Sequence, residues 1–112
     1  MVENIFFKVL PAGEGKTRWL VEKAFKEVSN GNRVVFLSSD YAEYEKFVLY
    51  YRTLFAMYCP VAHVEDTSAV LNDSVVLVDN LIKKMHDKAI NLAELKEKSK
   101  AIFVTVEGKP ID

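Results

Sequence analysis

The stretch FFKVLPAGEGKTRWLVEKAF, Phe6 to Phe25, changes pattern twice. An apolar run ends at Leu10, a glycine-containing turn follows, and from Lys16 onward apolar residues recur at three- and four-residue spacings. A short β-branched and aromatic run reads as a strand, and a 3.6-residue period as an amphipathic helix. The strand is predicted over Asn4 to Leu10, and the helix from Gly15 or Lys16 to Ser29. Leu20, Val21, Ala24, Phe25 and Val28 share one face of that helix, and Glu22, Lys23, Lys26 and Glu27 face water. Asn30-Gly31-Asn32 stops it, because glycine tolerates the left-handed conformation that ends helices.

Outward from this unit the alternation continues. RVVFLSS, residues 33–39, is almost wholly apolar, as a strand buried on both faces should be. A second helix follows, with Tyr44, Phe47, Val48, Tyr51, Leu54, Phe55 and Tyr58 at helical spacings and Pro60 barring its continuation. VAHV (61–64), SVVLVD (74–79) and AIFVTVE (101–107) read as three further strands. The region from Leu81 to Lys98 reads as helical with a break near Asn91, where Asn91 and Glu94 have capping-box spacing. Strands alternating with helices imply crossover connections and a mainly parallel sheet. The expected fold is therefore a three-layer α/β/α sandwich with five strands, spanning residues 1–112 as one domain. Ligands in such sheets bind beyond the carboxyl ends of the strands.

Composition narrows the function classes. Half of the 112 residues are hydrophobic and 28% are charged, a globular balance, and the net charge of −1 gives no overall field for nucleic acid. Single-stranded nucleic acid would have to meet a local patch. The segment Tyr41 to Tyr58, with Lys46 and Arg52, is the one stretch that offers aromatic stacking beside cations. Tyr44, Tyr51 and Tyr58 have the spacing of core residues, and Tyr41 and Tyr50 fall off that stripe. Cys59 is the only cysteine, so an internal disulfide and a cysteine-rich zinc site are excluded. His63 and His86 stand apart and read as structural. No apolar run has transmembrane length and the N-terminus lacks a basic signal-peptide start, so no membrane partner and a cytoplasmic location are expected.

The chemistry lies in the turn. Aligned on Gly15-Lys16-Thr17, the phosphate-loop pattern G-x-x-x-x-G-K-[ST] places Leu10 at its first position, leaving G-x-G-K-T. Such a loop curls so that successive N–H groups face phosphate oxygens above the positive end of a helix. Pro11, Ala12, Gly13, Glu14, Gly15, Lys16, Thr17 and Arg18 are the candidate nucleotide-binding residues. Lys16 would reach the β- and γ-phosphates, and the Thr17 hydroxyl would ligate Mg²⁺. Asp79, at the end of SVVLVD, is the second candidate metal ligand. The plainer readings are a glycine turn for the loop and a helix cap for Asp79.

With these residues the chain resembles P-loop NTPases of the RecA-like, additional-strand division. LPAGEGKT is similar to the phosphate loop of superfamily 2 helicases, which often read L-P-T-G-x-G-K-T and also lack the first glycine. GNRVVFLSSD resembles the second strand and following turn of those enzymes and of RecA-like ATPases. AIFVTVE falls where the family places its sensor strand, with Thr105 at the polar sensor position. The resemblance implies binding of ATP, or another nucleoside triphosphate, with Mg²⁺, and an ATPase serving nucleic-acid metabolism. It implies catalytic roles for Lys16, Asp79 and Thr105.

The departures concern hydrolysis. Helicases of that superfamily follow the acidic strand's aspartate with glutamate, and this chain has Asn80 there. RecA-like ATPases place the glutamate after the second strand, where Asp40 stands. Asp40 is thus the candidate catalytic base, and with Glu43 it equally has the spacing of a helix cap. Glu107 is a third candidate. The second helicase domain and further RecA-like strands are missing, so a transition-state cation would come from a homo-oligomer or a protein partner, with Lys109 a weak candidate. Against the ATPase stand a nucleotide-binding module with little or no hydrolysis, which Asn80 favours, a small kinase, and an interaction domain with a degenerate loop.

Overall fold

The structure, a computed structural model, describes residues 4–11, 13, 15–81 and 90–108. Five strands are ordered β1 (Ile5–Leu10), β2 (Val34–Leu37), β3 (Ala62–Val64), β4 (Ser74–Val78) and β5 (Ser99–Glu107) along the chain. Three α-helices accompany them among the described residues: α1 (Lys16–Ser29), α2 (Tyr41–Phe55) and α3 (Leu92–Lys98). All pairings are parallel, and the strand order across the sheet is β1-β5-β4-β2-β3. The result is an α/β domain matching the predicted three-layer arrangement. No helix among the described residues is long and apolar enough to cross a membrane.

Period-2 alternation divides the sheet's side chains between two cores. Val34, Phe36, Val75, Leu77 and Phe103 point to one face, where Leu20, Val21 and Ala24 of α1 and Phe47 and Tyr51 of α2 cover them. Val35, Leu37, Val76, Val78, Ile102 and Val104 point to the other, where Leu95 of α3 joins them. β2 and β4 are buried along their whole length, which is why they read as unbroken apolar runs.

The local signals at the helix ends hold. Asn30 ends α1, and Gly31, at φ +82°, donates its N–H to the Val28 carbonyl at 2.9 Å. Asn91 caps α3, its Oδ1 accepting from the Glu94 N–H at 3.1 Å. Of the helical reading over Leu81 to Lys98, residues 82–89, His86 included, lie outside the described residues.

Two differences have a tertiary cause. α2 ends at Phe55, with Ala56 left-handed at φ 52°, so Tyr58 lies beyond the helix and is 82% exposed rather than on the core stripe. β1 is apolar except for Lys8, yet it forms the sheet edge and leaves Phe6, Phe7 and Val9 exposed.

Candidate nucleotide site

The site forms at the carboxyl ends of β1, β4 and β5, where the chain leaves the sheet. Gly13 and Gly15 take φ +76° and +86°, and a Cβ at either would meet nothing within 4 Å. Glycine is therefore needed for the curl itself and not to avoid a neighbour. Left-handed Gly15 is the N-cap of α1, and no side chain among the described residues caps this end. By helix geometry the first-turn N–H groups have no intrahelical acceptor, so they and the helix dipole offer a positive end to an anion.

A cleft of about 430 Å³ opens there, lined by Gly13, Gly15, Lys16, Thr17, Arg18, Tyr50 and Asp79. Most of the predicted loop residues thus meet the acidic residue of β4 in one space. Pro11 is half-buried at the end of β1, and Ala12 and Glu14 lie outside the described residues. Arg18 is turned along its helix, its Nε 2.9 Å from Glu22 Oε1, and this contact raises the guanidinium's already high pKa. Tyr50 comes from α2, which packs beside α1. Its place off the apolar stripe, at 39% exposure, was the one sequence signal for it.

Behind the cleft a polar chain joins β4 to β5. Thr105 is fully buried and donates its hydroxyl proton to Asp79 Oδ1 at 2.6 Å, while its own Oγ1 accepts from the Asn80 N–H at 2.8 Å. Asn80 is left-handed, φ 56°, a conformation that asparagine tolerates better than most residues. Its Nδ2 donates to Glu107 Oε2 at 3.0 Å, and the Lys16 ammonium lies 3.4 Å from that same oxygen. Glu107 stands opposite Leu10 in the β1–β5 register, and Gly108 N–H bonds the Leu10 carbonyl at 3.0 Å, so β5 is tied to the strand that feeds the loop. Asn80 and Glu107 as a linked pair were not foreseen, although an Asp-Asn at a strand end is a signal for a left-handed turn.

Asp40 sits elsewhere. It is exposed, its side chain accepts the Ala42 N–H at 3.0 Å at the start of α2, and it does not line the cleft. The geometry describes the capping half of its expected double role. His63 is held structurally, its Nε2 2.8 Å from the Ser38 carbonyl and its ring stacked on Tyr44. Burial pushes the Cys59 thiol pKa up, which keeps it a protonated core residue. Lys109 lies outside the described residues. No group of three or more His, Cys, Asp or Glu side chains among them could hold a metal on its own.

The threonine can be tested for its structural share. Thr105→Val keeps the volume but removes both hydrogen bonds, leaving the Asn80 N–H without its acceptor. We expect a loss of about 1–3 kcal/mol in urea unfolding. An unchanged midpoint would show that water or a neighbour replaces both bonds. Comparison of the chain with protein-family models, with curated proteins and with solved structures finds no match.

Proposed function

We propose that this domain binds a nucleoside triphosphate with Mg²⁺ and hydrolyses it, as a minimal RecA-like ATPase working as an oligomer or as the subunit of a larger assembly. The observation that carries the reading is the meeting of Lys16, Thr17 and Asp79 in one cleft at the uncapped start of α1. A loop with two left-handed glycines, a lysine and a hydroxyl, opposed by a carboxylate, is suited to a charged polyphosphate chain. Support for the additional-strand division comes from β5, which lies between the loop strand β1 and the acidic strand β4.

Mg²⁺ fits the donors present, since the Thr17 hydroxyl and the Asp79 carboxylate are hard oxygen ligands on the same cleft. When bound, the ion offsets the charge of the phosphate oxygens. Thr105 holds Asp79 by one oxygen and so orients the carboxylate. Lys16 draws the β- and γ-phosphates to the loop, and the first-turn N–H groups of α1 hold them in line. Arg33 and Arg52 line other hollows and Arg18 is paired, which supports a transition-state cation from a second chain. Exposed apolar residues on β1 (Phe7, Val9) and around the end of α2 (Leu49, Met57, Tyr58) support such association. Single-stranded nucleic acid stays the secondary partner: Tyr41, Tyr50 and Tyr58 are exposed, and the net charge argues against it. A second reading, a nucleotide-binding module that hydrolyses little, is favoured by the amide of Asn80 beside Asp79.

The test is calorimetric titration with ATP, GTP and inorganic triphosphate, with and without Mg²⁺, followed by turnover assays. For Asp79→Asn we expect a folded protein in which the gain in affinity from Mg²⁺ falls by about tenfold, roughly 1.4 kcal/mol, because the neutral amide attracts the hydrated ion less. If the mutant gains as much from Mg²⁺ as the wild type does, Asp79 is a strand-end residue and no ligand.

A further inference from the structure

Glu107 occupies a position that a triphosphatase of this design leaves to another residue. Position 80, next to the acidic Asp79, carries an amide, which has no basic site to take a proton from water. Yet that amide donates to Glu107 Oε2 at 3.0 Å, so a carboxylate from the neighbouring strand is held next to the residue that follows Asp79. The same oxygen lies 3.4 Å from the Lys16 ammonium. A loop lysine of this kind reaches the β- and γ-phosphates, so a carboxylate beside it is on the side of the loop where the γ-phosphate would be drawn. We infer that Glu107, held by Asn80, is the catalytic carboxylate that orients and deprotonates the attacking water; this rests on the triphosphatase reading above.

Three further observations support it. The Glu107 backbone is fixed opposite Leu10 by the β1–β5 register, so its side chain starts beside the loop. Its side chain is 42% exposed, while that of Lys16 is only 15% exposed, so the carboxylate has room to turn aside as the lysine passes to phosphate. Asp40, the other carboxylate considered, is occupied with an N–H of its own helix, whereas Glu107 contacts Lys16, which lines the cleft.

In the step itself the water oxygen forms a bond to the γ-phosphorus. The bond from that phosphorus to the bridging oxygen breaks, and its electron pair leaves with the nucleoside diphosphate. The water's proton passes to Glu107 and then to solvent, and inorganic phosphate is released. Asn80 is a positioning residue: its left-handed backbone, anchored to Thr105, aims the amide at Glu107.

The experiment uses the full chain with ATP and Mg²⁺. Glu107→Gln should lower single-turnover hydrolysis by about 10²–10⁴-fold, the usual worth of a positioned base. Its affinity for ATP, measured calorimetrically, should be equal to or a few-fold tighter than wild type, since an amide competes less for Lys16. Formate should restore part of the turnover in Glu107→Ala. Asn80→Ala should lower kcat about tenfold with KM unchanged, a split that a merely structural role would not give. Turnover retained in Glu107→Gln but lost in Asp40→Asn overturns the inference and makes Asp40 the base; asparagine is as good a helix cap as aspartate, so that variant keeps its fold. Wild-type protein that binds ATP and never turns it over also overturns it. A wild type that binds no triphosphate at all strikes the parent reading instead, which keeps the two failures distinct.

Discussion

Lys16→Ala is expected to weaken Mg²⁺-dependent triphosphate binding by roughly 13- to 160-fold, equivalent to about 1.5–3 kcal/mol, the range for a hydrogen bond to a charged group. The lysine is largely buried at the start of α1, and no side chain among the described residues caps that helix end. Removing it takes away a cation at the loop, where Arg18 is turned toward Glu22 instead. It also leaves the Glu107 carboxylate, now 3.4 Å from the ammonium, to face the incoming phosphates unneutralised. The loss should therefore lie at the upper end of the range, and Glu107→Gln in the same chain should recover part of it. Calorimetric titration of both variants checks this. Equal affinity in wild type and Lys16→Ala would falsify the phosphate-loop assignment, whatever the turnover.

Phe36→Ala should produce the largest loss of stability. Phe36 is 1% exposed at the centre of β2, with its ring 4.9 Å from that of Phe47 and 6.1 Å from that of Tyr44. Truncating a buried phenylalanine costs about 3–5 kcal/mol through lost transfer energy and the cavity left behind. A domain of this size holds only about 5–15 kcal/mol in total, so the variant loses about a fifth of its stability or more. Phe7→Ala, on edge strand β1 at 54% exposure, should change stability by no more than about 0.5 kcal/mol in either direction. Urea unfolding of the two variants side by side measures the contrast. Similar midpoints for both would mean that β1 is covered in solution, by a second chain or by another segment.

That contrast marks how far the sequence is legible. Phe7 and Phe36 both sit in largely apolar runs, and only Lys8 in the first hints that it is the more exposed. Burial follows from strand order, because β2 has a neighbour on each side and β1 has one. The tyrosines repeat the point: Tyr51 is in the core, but Tyr58, at the same helical spacing, lies past the end of α2 and is exposed. Spacing predicts a face only while the helix continues, and left-handed Ala56 ends it without a glycine to announce it.

By itself the sequence determined what is local. Period-2 and 3.6-residue patterns specify strands and helices because burying one face needs no knowledge of the partner. The curl of the loop is likewise written in Gly13 and Gly15, the residues that take positive φ without strain, and the cap of α3 in Asn91. The unbroken apolar runs of β2 and β4 specify an interior parallel sheet for the same reason. Only the tertiary structure decided the rest. Placing β5 between β1 and β4 brings Thr105 to Asp79, and Glu107 to Lys16 and Asn80, residues far apart in the chain. Such contacts follow from which strands pair and in what register, a long-range choice made by the packing of both sheet faces at once, and no local period encodes it.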